Sequence, residues 1–121
     1  MKYWGMVSKY MEKNNDFYLM KTIDEIDLIL EYSKDLEIKD FLEKPVVLDG
    51  IVFRMIQMSE HMNNITQEFK MMHSNIDWIN IKGFRNRLVH NYGGVDLQFV
   101  YNAIKEDIPK LKKELLDILS K

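Results

Sequence analysis

Arg85, Asn86, His90 and Tyr92, with Lys82 and Arg87 beside them, are the residues of this chain whose types and spacing suit chemistry. No acidic residue lies between Asp77 and Asp96, so Lys82, Arg85 and Arg87 leave that stretch at +3. A histidine moves a proton near neutrality, an arginine offers a planar fork to a phosphate, and an asparagine orients either group. The segment has no serine or cysteine for acyl transfer and no paired carboxylates for glycosidase or two-metal chemistry. What fits is phosphodiester cleavage in which the RNA 2′-hydroxyl is the internal nucleophile. His90 would act as general base or acid and Arg85 would stabilise the phosphorane charge. Asn86, Lys82 and Arg87 would support or hold the substrate, with no metal or cofactor required.

On a helix, at about 100° per residue, Arg85 and Tyr92 fall on nearly one line and Asn86 lies one turn beneath His90. Arg85 and His90, five positions apart, diverge by about 140° on the same count and would flank a groove. Two copies meeting across a two-fold axis would bring Arg85 of one chain towards His90 of the other, which favours a homodimeric site.

A plainer reading stands beside this one. Histidines near helix ends often cap carbonyls, and arginines on a helix commonly form a solvated face. His61 and His73 have neither basic neighbours nor ligand spacing, and surface or packing roles are expected for both. Glu60 is expected either to make a buried structural hydrogen bond or to support the cleft. Met55, Met58 and Met62 are expected to fill core or dimer interface, because methionine adapts to irregular gaps.

The elements that must position these residues read as helices. Only five glycines and two prolines punctuate the chain, and apolar residues recur at helical spacing. Leu19, Ile23, Ile26 and Leu30 mark a first helix from an N-cap at Asn15 or Asp16 to about Asp35. Residues 36–44 form a short turn or helix. Val47, Ile51, Met55, Met58, Met62, Ile65 and Phe69 predict a second helix over 45–69, begun by Pro45. A third runs from an N-cap at Asp77 to about His90, where Gly93 and Gly94 stop it. Asp96 caps the last, striped by Leu97, Val100, Ile104, Ile108, Leu111, Leu115 and Ile118, with a kink or break near Glu106–Ile108 imposed by Pro109. The expectation is an all-α fold, an up-and-down bundle of four or five helices dimerising through the motif helix. Residues 1–15 are an N-terminal extension able to form a further helix, and residues 16–121 are a single domain.

Composition bounds the rest. The 121 residues suit one domain, and 46% apolar with 30% charged is globular. The absence of cysteine excludes a disulfide scaffold and fits a reducing cytoplasm. No apolar run approaches the roughly 18 residues of a membrane span, and residues 1–13 carry no secretion signal. Net charge is −2, so the +3 segment sits on a remainder of −5. That excludes a general nucleic-acid coat and leaves room for one local phosphate site.

At Arg85-Asn86-Arg87-Leu88-Val89-His90-Asn91-Tyr92 the chain resembles the HepT-like toxins of the HEPN superfamily, whose signature is Arg, four residues, His, one residue, Tyr. The similarity reaches Asp77-Trp78, Ile81-Lys82-Gly83, Gly94-Val95-Asp96 and the stretch Ile56-Gln57-Met58-Ser59-Glu60, and covers about residue 16 to the C-terminus. Two departures stand out: Ser59 replaces the usual glycine before Glu60, and residues 1–15 precede the typical start. The resemblance implies a helical bundle dimerising through its motif. It also implies a metal-independent ribonuclease toxin from a prokaryotic, type VII-like toxin–antitoxin pair. Arg85 and His90 would be catalytic, and Tyr92 would accept AMP from an MNT-type minimal nucleotidyltransferase antitoxin. The added bulk and negative charge would repel RNA. The alternative from a different class is a non-catalytic helical module that binds a nucleotide or docks a nucleotidyltransferase, and a purely structural bundle ranks behind both.

Overall fold

A computed structural model describes residues 2–88 and 94–120, with side chains from residue 14 onwards. In chain order the helices are α1 (Lys2–Tyr32), α2 (Ile38–Glu43), α3 (Pro45–Asn63), α4 (Gln67–Met72), α5 (Trp78–Lys82), α6 (Phe84–Leu88), α7 (Leu97–Asn102) and α8 (Ile108–Leu119). One π-helical turn, Ala103–Asp107, joins α7 to α8. The expected all-α bundle is what forms, and no described helix is long and apolar enough to cross a membrane.

The long helices α1 and α3 form the spine, and their side-chain partners fix the direction. Asn15 meets Thr66, Glu25 meets Arg54 and His61, and the Tyr32 ring lies 3.9 Å from where a Cβ on Gly50 would stand. Rising numbers on one helix therefore pair with falling numbers on the other, so the two run antiparallel. The seam is apolar but interrupted. Leu19, Ile26 and Ile29 are fully buried opposite Ile51, Met55, Met58 and Met62, while Thr22, Glu25 and Ser33 share the buried face. Thr22 and Ser33 donate their hydroxyls to the Tyr18 and Ile29 carbonyls of α1 at 2.7 and 2.8 Å, which satisfies them locally. Ile29 rather than Leu30 is therefore the core residue of that turn. The three methionines are core filler, as expected.

Four boundaries differ from the sequence expectation, each for a local reason. Asn15 is inside α1 and caps nothing at its start. Its amide instead bridges to Thr66, donating to Oγ1 at 3.1 Å and accepting the Thr66 N–H at 3.0 Å. The helix expected over 45–69 stops at Asn63, because Thr66 Oγ1 accepts the Phe69 N–H at 3.3 Å and starts α4 anew. The helix expected over 77–90 divides at Gly83 into α5 and α6, and α1 ends at Tyr32, with Asp35 in the left-handed region at φ 61°. Asp77 and Asp96 do cap their helices, accepting the Asn80 and Phe99 N–H groups at 3.1 Å each. Pro109 does break the last helix. It lacks an N–H and falls in the first turn of α8, and the turn before it widens to the π form.

Candidate functional site

The described part of α6, Phe84–Leu88, is held by tertiary contacts. Phe84 and Leu88, one turn apart, are 3% and 0% exposed and fasten one face to the core. Phe84 packs on Phe99 of α7 with ring centroids 5.0 Å apart. This anchoring leaves Arg85, Asn86 and Arg87 on the exposed face. Lys82, at the end of α5, is exposed beside them.

The three cations are held differently. Arg87 is braced: its Nη1 donates to Asn80 Oδ1 at 2.6 Å and its guanidinium carbon lies 4.3 Å from the centre of the Phe99 ring. Arg85 and Lys82, like Asn86, make no hydrogen bond or ion pair among the described residues. A guanidinium in that state is available to a ligand. The brace places Arg87 first as a support for α6. Asn80 and Arg87, seven apart, share a helical face, so that half of the brace has a sequence signal; the Phe99 half, arriving from α7, has none.

His90 and Tyr92 lie outside the described residues. The described ends on either side of 89–93 are pinned together, since the Asp96 N–H donates to the Leu88 carbonyl at 2.9 Å. Glu60 is exposed, which rules out the buried hydrogen bond as its role; its backbone carbonyl accepts the Asn64 side chain at 2.9 Å. The neighbouring Ser59, 1% exposed, donates its hydroxyl to the Ile56 carbonyl at 2.8 Å, so the residue that stands in place of glycine is accommodated in the core. His61 sits 3.7 Å from Glu25, and the His73 ring rests 4.4 Å from Phe69; both pack on the bundle. Among the described residues no three His, Asp or Glu side chains converge as a metal-binding group.

A second basic feature, unmarked by the motif, borders the first. Lys70 of α4 approaches Lys82 closely enough to feel its charge. Partial burial, and then repulsion from Lys82, hold the Lys70 ammonium below the ordinary lysine range. Its Nζ lies over the Trp78 ring, 5.9 Å from the centroid. Both lysines line an open groove of about 610 Å³ between α4 and α5. The acid-free run in the sequence points to Lys82 but not to Lys70, which comes from another helix.

Comparison with known proteins gives these features a context. The family described as Ribonuclease HepT-like matches residues 22–118. A Caldanaerobacter subterraneus protein provisionally named an RNase is 32% identical over 104 residues, covering 86% of this chain and 93% of its own. A Thermococcus cleftensis protein provisionally named ribonuclease HepT is 31% identical over 102 residues, covering 84% and 93%. A Methanocaldococcus jannaschii protein, named gamma-glutamylcyclotransferase and provisionally RNase, is 35% identical over 109 residues. That match covers 90% of this chain but 49% of the relative, so the chain spans about half of that protein's length. No solved structure matches the chain.

Proposed function

The chain belongs to the ribonuclease HepT-like family, and from that premise we propose that it is the endoribonuclease toxin of a toxin–antitoxin pair, cutting RNA without a metal. One observation carries the reading: Arg85 is presented on the solvent face of α6, unpaired among the described residues, while Phe84 and Leu88 fix the helix beneath it. A preorganised cation costs no reorganisation when charge develops on a phosphate.

In the proposed reaction the His90 imidazole takes the proton of the 2′-hydroxyl, O2′ bonds to the adjacent phosphorus, and the P–O5′ bond breaks. Arg85 donates to the non-bridging oxygens while they carry the extra charge. The His90 imidazolium returns that proton to the leaving O5′, and the products are a 2′,3′-cyclic phosphate and a 5′-hydroxyl end. Asn86 orients the reacting groups. His90 is two residues beyond Leu88, the buried anchor of α6, so the two groups share one short stretch of chain. A homodimer would place two such sets in one cleft. AMP transfer to Tyr92 by a nucleotidyltransferase antitoxin would silence the site by adding bulk and negative charge where phosphate must bind.

The test is cleavage of RNA in excess EDTA with the ends mapped. Wild type should yield cyclic phosphates, and His90→Ala and Arg85→Ala should each lose at least about 100-fold in rate. Undiminished cleavage by His90→Ala refutes the assignment, and AMP found only on a residue other than Tyr92 after incubation with the antitoxin and ATP refutes the switch.

A further inference from the structure

The groove between α4 and α5 combines features that the motif does not explain. Two lysines converge on it, and neither Lys70 nor Lys82 has an ion-pair partner among the described residues. The one carboxylate on its wall, Asp77, is engaged as the cap of α5. Lys70 lies over the Trp78 ring, and partial burial, then repulsion from Lys82, lower its affinity for a proton with no anion among the described residues to offset either. A bound anion would offset both the repulsion and the cost of partial burial.

The rest of the rim is apolar and open. Met71 and Ile79 are 70% and 87% exposed beside half-buried Trp78. Trp78 is rigidly placed, because its indole N–H donates to the His73 carbonyl at 3.0 Å and its edge meets Phe69. Phosphate-binding cations alternating with flat apolar surface are the means by which proteins hold unpaired nucleic acid, charge tracking the backbone and aromatic groups taking the bases. Lys82 belongs to this groove and also ends α5, three residues before Arg85.

We propose that this groove seats the single-stranded RNA flanking the cut, with Lys70 and Lys82 on a backbone phosphate and a base laid against Trp78, Met71 and Ile79. The strand then passes from Lys82 to Arg85. This rests on the ribonuclease reading above, and it assigns substrate positioning to Lys70 and Trp78, outside the motif.

The probe is a fluorescein-labelled single-stranded RNA with 2′-O-methyl groups, which lacks the internal nucleophile and stays intact. Its binding is followed by anisotropy over a salt series. Lys70→Gln should weaken binding about 3- to 10-fold and flatten the dependence of log K on log salt by about 0.7, the effect of one lost phosphate contact on a single strand. Lys70→Glu should weaken it further, and Lys70→Arg should restore it. In a Trp4→Phe background, which leaves Trp78 as the sole tryptophan, RNA should quench the fluorescence and inorganic phosphate should not. Wild type that cuts RNA while Lys70→Glu keeps its affinity and salt slope overturns the groove and leaves the catalytic reading standing. Wild type that neither binds nor cuts RNA overturns both. A Lys70→Glu protein that changes its sedimentation but not its RNA affinity shows the occupant to be another copy of the chain, and overturns the proposal as well.

Discussion

Replacing Arg87 by alanine removes two exposed contacts at once, the 2.6 Å hydrogen bond to Asn80 and the stack on Phe99 at 4.3 Å. At exposed sites a cation–π pair contributes about 0.5–1 kcal/mol, and a hydrogen bond about 0.5–1.5 kcal/mol net. The variant should therefore lose about 1–2 kcal/mol, and for a domain of this size each kcal/mol lowers the melting temperature by about 3–5 °C. The loss falls on α6, which also carries Arg85, so the motif should suffer beyond the global change. Single-turnover cleavage should slow about 10-fold, since small displacements of a catalytic group are costly. The salt dependence of RNA binding should stay unchanged, because Arg87 acts here through α6. A double-mutant cycle with Phe99→Leu isolates the stack, with an expected coupling of about 0.5–1 kcal/mol in urea unfolding. Coupling below about 0.3 kcal/mol, together with a flattened salt slope for Arg87→Ala, would refute the brace and make Arg87 a direct phosphate contact.

Two further perturbations test other parts of the scaffold. Asn15→Ala removes the acceptor of the Thr66 N–H and loosens the start of α4; it should cost about 1–3 kcal/mol, and a change under about 0.5 kcal/mol would show the bridge to be dispensable. For Lys70 the sign follows from its pKa, which folding lowers from 10.5. In the alkaline range just below 10.5 the unfolded chain binds more protons than the folded one, so the stability of wild type relative to Lys70→Gln should rise as pH climbs from about 8 towards that value. A flat or falling difference in thermal unfolding would contradict the burial and repulsion read at this site.

Legibility in the sequence tracked how local the determining interaction is. The caps at Asp77 and Asp96 and the break at Pro109 are set within four residues, and each was readable. The core stripe of α3 was readable up to Met62, but its continuation through Ile65 and Phe69 concealed the new start that Thr66 imposes. Asn15 looked like a cap because its partner stands 51 positions away. The seam of α1 was partly hidden because Thr22, Glu25 and Ser33 occupy buried positions that an apolar pattern does not count. At the site, the acid-free run led to Lys82, Arg85, Asn86 and Arg87, yet only the spacing of Asn80 and Arg87 hints at which arginine is braced. That difference comes from Asn80 and Phe99, on two other helices. Lys70 was missed for the same reason, since only the packing of α4 against α5 sets it beside Lys82.

The charge balance takes on a spatial meaning in the folded chain. The acids that give the body its excess are partly spent on other bases: Glu25 on Arg54 at 3.3 Å and on His61, Asp27 on Lys112 at 2.7 Å, and Glu37 on Lys39. Asp77 and Asp96, the nearest acids in sequence to the motif, both serve as helix caps, which directs their oxygens to backbone N–H groups. Each carboxylate bordering the basic stretch thus has a structural task, and Lys82 and Arg85 remain uncompensated among the described residues. An uncompensated charge in solvent costs little, and its attraction for an anion is correspondingly undiminished by a competing partner. At Lys70, by contrast, partial burial and then the charge of Lys82 lower the proton affinity, and no partner among the described residues offsets them. An anion bound beside Lys70 would offset both causes, which is the role the proposed RNA phosphate would fill.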